Sequence, residues 1–120
     1  MLSISTHKLK YYLYLKATDM RKSFDGLIGL VQNQMELDCT GGDVFIFINR
    51  RRDRIKLLIW SGDGFWIHYK RLERGTFQIP DHFAKTNHLE IGHEQLMLIL
   101  EGIDLNSARK RARYHRKKLA

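Results

Sequence analysis

Hydrophobic spacing divides the chain into segments of two periods. Residues 11–15, Tyr-Tyr-Leu-Tyr-Leu, form an apolar run of strand length. Downstream, Phe24, Leu27, Ile28, Val31 and Met35 recur at helical spacing while Arg21, Lys22, Asp25 and Gln32 fall off that stripe. This predicts an amphipathic helix over residues 20–35 with Thr18 or Asp19 as its N-cap, weakened by Gly26 and Gly29. Beyond Cys39-Thr40-Gly41-Gly42, a loop by composition, come three runs rich in β-branched and aromatic residues: 43–49, 54–60 and 65–72. They are separated by Arg50-Arg51-Arg52-Asp53 and by Ser61-Gly62-Asp63-Gly64, so a three-stranded meander is expected, extended by residues 77–79 before Pro80. Residues 81–88 read as a polar, His-bearing loop. Residues 93–101 read as a second helix with Leu96, Ile99 and Leu100 inward and Gly102 at its C-cap.

The predicted fold class is α+β: an antiparallel β-meander of three to five strands packed against an N-terminal helix and a C-terminal helix. One domain is expected over residues 1–106, followed by a basic C-terminal tail over 107–120. A four-residue loop at 50–53 and a two-residue Asp63-Gly64 turn of type I′ geometry set an expected register. One face then carries Val44, Ile59 and His68, then Ile46, Leu57 and Lys70, then Ile48, Ile55 and Leu72, and packs against helix. The other carries Phe45, Leu58 and Tyr69, then Phe47, Lys56 and Arg71, with Trp60 opposite Ile67 and Asn49 opposite Arg54. Aromatics interleaved with cations offer stacking platforms for single strands. If both faces are covered, Phe45 and Phe47 are core instead.

Composition narrows the class. With 43% hydrophobic residues in 120, the chain can bury a core of its own. No run approaches the roughly 18 apolar residues of a membrane span, and residues 1–10 contain no stretch of signal-peptide length. The single cysteine, Cys39, excludes an internal disulfide framework and suits a reducing compartment, so a cytoplasmic protein with no membrane partner is expected. Of the 21 Lys and Arg, seven lie in residues 109–120, where there is no acid, so residues 1–108 carry a net charge of only +1. Arg109, Lys110, Arg111 and Arg113 in this tail are candidate phosphate contacts, because each phosphate neutralised releases condensed counterions. In the alternative the tail is a solvated run that aids solubility.

Candidate chemistry follows from the same pattern. Arg50, Arg51, Arg52 and Arg54 sit at a hairpin turn in any register, and guanidinium groups match phosphate bidentately. Lys56, Lys70, Arg71 and Arg74 could join them in one nucleic-acid-binding patch. Trp60, Trp66 and Tyr69 form a candidate protein-interaction surface. The carboxylates lack the convergent spacing of a two-metal site, and His82, His88 and His93 lack that of a zinc site. His68 and Tyr69, adjacent in a strand, point to opposite faces and cannot act as a base–nucleophile pair. No catalytic residue, metal or cofactor is expected.

Several stretches together resemble a known family. They are residues 18–27 (Thr-Asp-Met-Arg-Lys-Ser-Phe-Asp-Gly-Leu), Val44-Phe45-Ile46-Phe47, Asn49-Arg50-Arg51-Arg52-Asp53-Arg54-Ile55-Lys56, Gly62-Asp63-Gly64-Phe65, Tyr69-Lys70-Arg71-Leu72-Glu73 and Leu100-Glu101-Gly102-Ile103-Asp104. In this order, over about residues 11–104, they resemble the TnpB accessory proteins of the insertion sequence 66 family of transposable elements. The resemblance implies a non-catalytic role in transposition beside a separate transposase that carries the catalytic acids. Expected partners are DNA, at element ends or target, and the transposase or a sister accessory protein. Ser61 stands where that family commonly has Asp, so no essential carboxylate is expected there. An alternative function is docking onto the transposase or the sister protein without contact to DNA.

Overall fold

A computed structural model describes residues 8–102; Arg109, Lys110, Arg111 and Arg113, with the predicted tail and its boundary, lie outside them. Five strands form one sheet: β1 (Tyr11–Tyr14), β2 (Val44–Ile48), β3 (Arg54–Trp60), β4 (Phe65–Arg71) and β5 (His88–Ile91), in the spatial order β4-β3-β2-β1-β5. Helix α1 (Phe24–Gly29) runs on into a π-helical turn, Leu30–Gln34, and α2 (His93–Glu101) follows β5. The α+β class and the β2–β3–β4 meander are as predicted. The sheet is mixed, however: β1 pairs parallel with β2, because the chain crosses over through α1 between them, and antiparallel with β5.

Strand β2, Val-Phe-Ile-Phe-Ile, is apolar at every position because both of its faces are covered. Val44, Ile46 and Ile48 join Leu13, Ile55, Ile91, Leu96 and Ile99 in a core under α2. Phe45 and Phe47 join Leu27, Val31, Met35 and Leu58 in a second core under α1. The two phenylalanines are therefore core residues, as expected where both faces are covered, and the helix occupies the side on which an open aromatic platform would have stood.

Four local expectations are corrected. The first helix starts at Phe24, with Ser23 at its N-cap, because the Lys56 ammonium takes the carbonyls of Met20 (2.8 Å) and Lys22 (2.7 Å) outside any helix. Residues 77–79 add no strand; Phe77 is buried and donates its N–H to the Arg52 carbonyl at 2.6 Å. The fifth strand comes instead from His88–Ile91, in part the predicted loop, which pairs along β1 from Tyr14↔His88 to Tyr11↔Ile91. The β2–β3 register is as expected, with Val44 opposite Ile59 and Phe47 opposite Lys56, whereas β3–β4 is shifted by two residues.

That shift places Trp60 opposite Phe65, Ile59 opposite Trp66, Leu57 opposite His68 and Ile55 opposite Lys70. The turn is a four-residue loop, Ser61 to Gly64, closed by the Ser61 N–H to the Gly64 carbonyl at 2.9 Å, with Gly62 at φ +91°. Edge-on contact of the Trp60 and Phe65 rings, 4.9 Å between centroids, rewards this closure over the tighter turn. A slip of two leaves every side chain on its predicted face. Helix α2 begins where Gln95 Oε1 accepts the Gly92 N–H at 2.8 Å and ends at Gly102, whose φ of +79° is the left-handed conformation glycine adopts without strain.

Candidate nucleic-acid interface

The β2–β3 turn is built to hold arginines outward. The Asn49 side chain accepts the N–H groups of Asp53 and Arg54 at 3.0 Å each and donates to Asp53 Oδ1 at 2.6 Å. The Arg52 N–H donates to the Asn49 carbonyl at 3.0 Å, with Arg52 at φ +59°. From outside the hairpin, the Leu72 N–H donates to the Asp53 carbonyl at 2.7 Å and Phe77 to that of Arg52. Asp53 is thus spent on Asn49. Among the described residues no carboxylate pairs with Arg50, Arg51 or Arg52, all of which are exposed.

Three depressions meet at this turn. One, of about 400 Å³, lies between residues 17–20 and Asn49, Arg50, Arg51 and Arg54. A second, of about 430 Å³, is bordered by Arg54, Tyr69, Arg71 and Glu73. A third, of about 260 Å³, includes Lys16, Arg50 and Arg52. Arg54 and Arg71 stand directly opposite each other across β3–β4, an arrangement of like charges that a bound anion relieves. Glu73 already holds Arg71 through its Nε (2.9 Å) and Nη2 (2.7 Å), which raises the guanidinium pKa further. At the other rim, Arg21 grips Asp19 with Nε at 3.0 Å and Nη2 at 2.7 Å. These bonds, with that of the Arg21 N–H, lower the Asp19 pKa to about 2.

The expected patch is brought together only in part. Arg50, Arg51, Arg52, Arg54 and Arg71 share this end of the sheet, and Arg74 is exposed in the turn beyond β4. Lys70 lies on the opposite face, opposite Ile55, with its ammonium 3.5 Å from the Leu100 carbonyl. Lys56 is 7% exposed, bonded to two carbonyls and set 4.6 Å beneath the Tyr69 ring, so it presents no charge to solvent. The aromatic trio is likewise split. Trp66, 61% exposed, stacks on His68 on the α2 side of the sheet, while Trp60 and Tyr69 face the α1 side.

Sequence reasoning did not anticipate the roles of Asn49 and Thr18. Asn49 was visible as the residue before the arginines, where an Asn side chain commonly bonds the backbone of a turn. Thr18, with Asp19 a candidate helix N-cap by sequence, is instead buried beside the first depression with its hydroxyl unpartnered, and nothing in its neighbours' sequence signals that. No group of three or more His, Cys, Asp or Glu converges on a metal-sized site among the described residues, nor is any of their helices long and apolar enough to cross a membrane.

Comparison with known proteins adds a lineage. A sequence profile described as IS66 Orf2 like protein matches residues 9–110. Two proteins of Sinorhizobium fredii (strain NBRC 101917 / NGR234) are similar along most of their length. Uncharacterized protein y4jC is 29% identical over 103 residues, covering 86% of each chain. Uncharacterized protein y4hO is 32% identical over 100 residues, covering 83% of this chain and 85% of its own. No solved structure matches.

Proposed function

We propose, since the chain belongs to the IS66 Orf2-like family, that this transposition-associated accessory protein binds DNA through the arginine turn, without catalysing a reaction itself. The supporting observation is the braced turn: Arg50, Arg51 and Arg52 are held outward on a hydrogen-bonded frame, and no described carboxylate neutralises them. Phosphate contacts position a protein on DNA without reading its sequence, so binding is salt-dependent and mostly sequence-tolerant. The cations of the tail add to the same attraction. The test is binding of the full chain to a duplex element end and to a scrambled duplex across a salt series. Replacing Arg50, Arg51 and Arg52 together with Ala should lower the slope of log affinity against log salt by about 2–3, at roughly 0.9 per lost phosphate contact. An unchanged slope sinks this role for the turn.

Docking on the transposase or a sister accessory protein is the second function, favoured by Trp66 on the outermost strand β4. Such docking predicts co-purification in high salt that Trp66→Ser abolishes. Retention by the variant equal to that of the parent removes the motive.

A further inference from the structure

We propose that β4 is the seam of a homodimer, pairing antiparallel with β4 of a second copy about a two-fold axis through His68. Strand β4 is the outermost on its side of the sheet, and every residue from His68 to Arg71 is exposed. Two bonds beyond its ends set the direction of its backbone groups. The Ser61 N–H donates to the Gly64 carbonyl at 2.9 Å and the Leu72 N–H to the Asp53 carbonyl at 2.7 Å, so these two pairs are hydrogen-bonded ones. Bonded pairs alternate along an antiparallel ladder, and by that alternation Trp66, His68 and Lys70 direct their N–H and C=O groups to β3. Phe65, Ile67, Tyr69 and Arg71 turn theirs outward, where no strand among the described residues takes them. The other edge of the sheet is blunted: β5 has only four residues, and the carbonyl that His88 turns outward accepts the Thr86 hydroxyl at 2.8 Å.

The side chains of β4 select a second β4 as the occupant. With the two strands fully overlapped about His68, the outward-facing residues meet one another: Phe65 with Arg71 of the second copy, and Ile67 with Tyr69 of the second copy. Each such pair exchanges two main-chain hydrogen bonds. In the closely spaced pairs between them, Trp66 meets Lys70 of the second copy on the α2 side of the sheet, and His68 meets its own counterpart on the axis. The cations at one end of the strand thus lie against the Trp66 and Phe65 rings at the other, an attractive pairing of charge with π-face. A parallel copy would instead set Lys70 and Arg71 beside their own counterparts, where like charges repel. A two-fold axis requires a surface that is complementary to itself, and β4 is one. With β5 blunted, assembly ends at two chains, and an arginine turn stands at each end of the seam, since Arg54 lies opposite Arg71.

The experiment is sedimentation equilibrium of the full chain without DNA, over a concentration series, together with amide hydrogen exchange. The mass is expected to rise to that of two chains. In the dimer the outward amides of Ile67 and Tyr69 should exchange as slowly as those of His68 and Lys70, which bond β3. Trp66→Lys, at an exposed position, sets ammonium groups opposite each other twice across the axis and should weaken dimerisation about tenfold. In the dissociated variant Ile67 and Tyr69 should exchange fast while His68 and Lys70 stay protected, a pattern that an unfolded chain does not give. Adding Lys70→Glu, which faces the new lysine across the seam, should restore the dimer. A surface that docks a different protein has no reason to respond in that way. The mass of a single chain throughout overturns the seam, as does a dimer that Trp66→Lys leaves intact or that the second substitution fails to restore. Because no DNA is present, each of these outcomes leaves the proposed DNA-binding function to its own test.

Discussion

Lys56 illustrates how far a charged residue's role depends on what packs over it. In a strand that alternates with aliphatic residues it reads as an exposed cation, but α1 and the segment before it close over that face. Its ammonium then serves as a crosslink to the Met20 and Lys22 carbonyls and as a cation under the Tyr69 ring. Lys56→Met keeps the stem and removes the crosslink, so a loss of about 1–3 kcal/mol is expected in urea denaturation. The salt slope of DNA binding should stay that of the parent. Asp19 makes a complementary prediction. Its pKa, depressed to about 2, means that the fork with Arg21 is fully formed above the usual carboxylate range. The stability it lends is present above the ordinary carboxylate value near 3.9 and is lost progressively as pH falls from there through about 2. Carboxyl-carbon NMR should show Asp19 still ionised at pH 3, and in Arg21→Ala its midpoint should return towards the ordinary value near 3.9.

Among the elements, β2 carries the largest share of packing, since it alone places large side chains in both cores at every position. Phe47→Ala should destabilise the protein by about 3–5 kcal/mol, read as a lower denaturation midpoint, because it opens a cavity beneath α1. Such two-sided burial is visible in the sequence as an unbroken apolar run, and so were the first hairpin's register, the extent of α2 and its Gly102 stop. What escaped was decided by non-local contacts. His88–Ile91 has four residues and gains its strand identity from pairing with β1, some 75 residues earlier in sequence. Residues 20–23 have the composition of a helix start, yet Lys56, more than 30 positions away, holds them out of it. The arginines of the candidate site were legible because turn chemistry is local, whereas Thr18 beside the recess could be found only from the fold.

For the whole molecule, charge is segregated along the chain. Residues 1–108 are nearly balanced, at a net +1, and the final segment supplies the remainder of the +8. A full chain in which the seven Lys and Arg of residues 109–120 are changed to Gln should lose up to about 6 from the salt slope of DNA binding, at roughly 0.9 per contact. Any preference for an element end over a scrambled duplex should survive, because it would reside in the folded body.

The strand order also governs how the protein comes into being. During synthesis β2, β3 and β4 leave the ribosome as neighbours and can pair at once, with β1 already waiting beside β2. The outer partner of β1 and the helix that shields Val44, Ile46, Ile48 and Ile55 are the last described elements to emerge. Until residue 101 is clear, the nascent chain therefore shows a bare aliphatic surface and an unpaired backbone edge at Tyr11–Tyr14. A message cut between codons 72 and 88 yields a polypeptide with its hairpins intact and that surface permanently exposed, a substrate for chaperones and proteases rather than a working fragment.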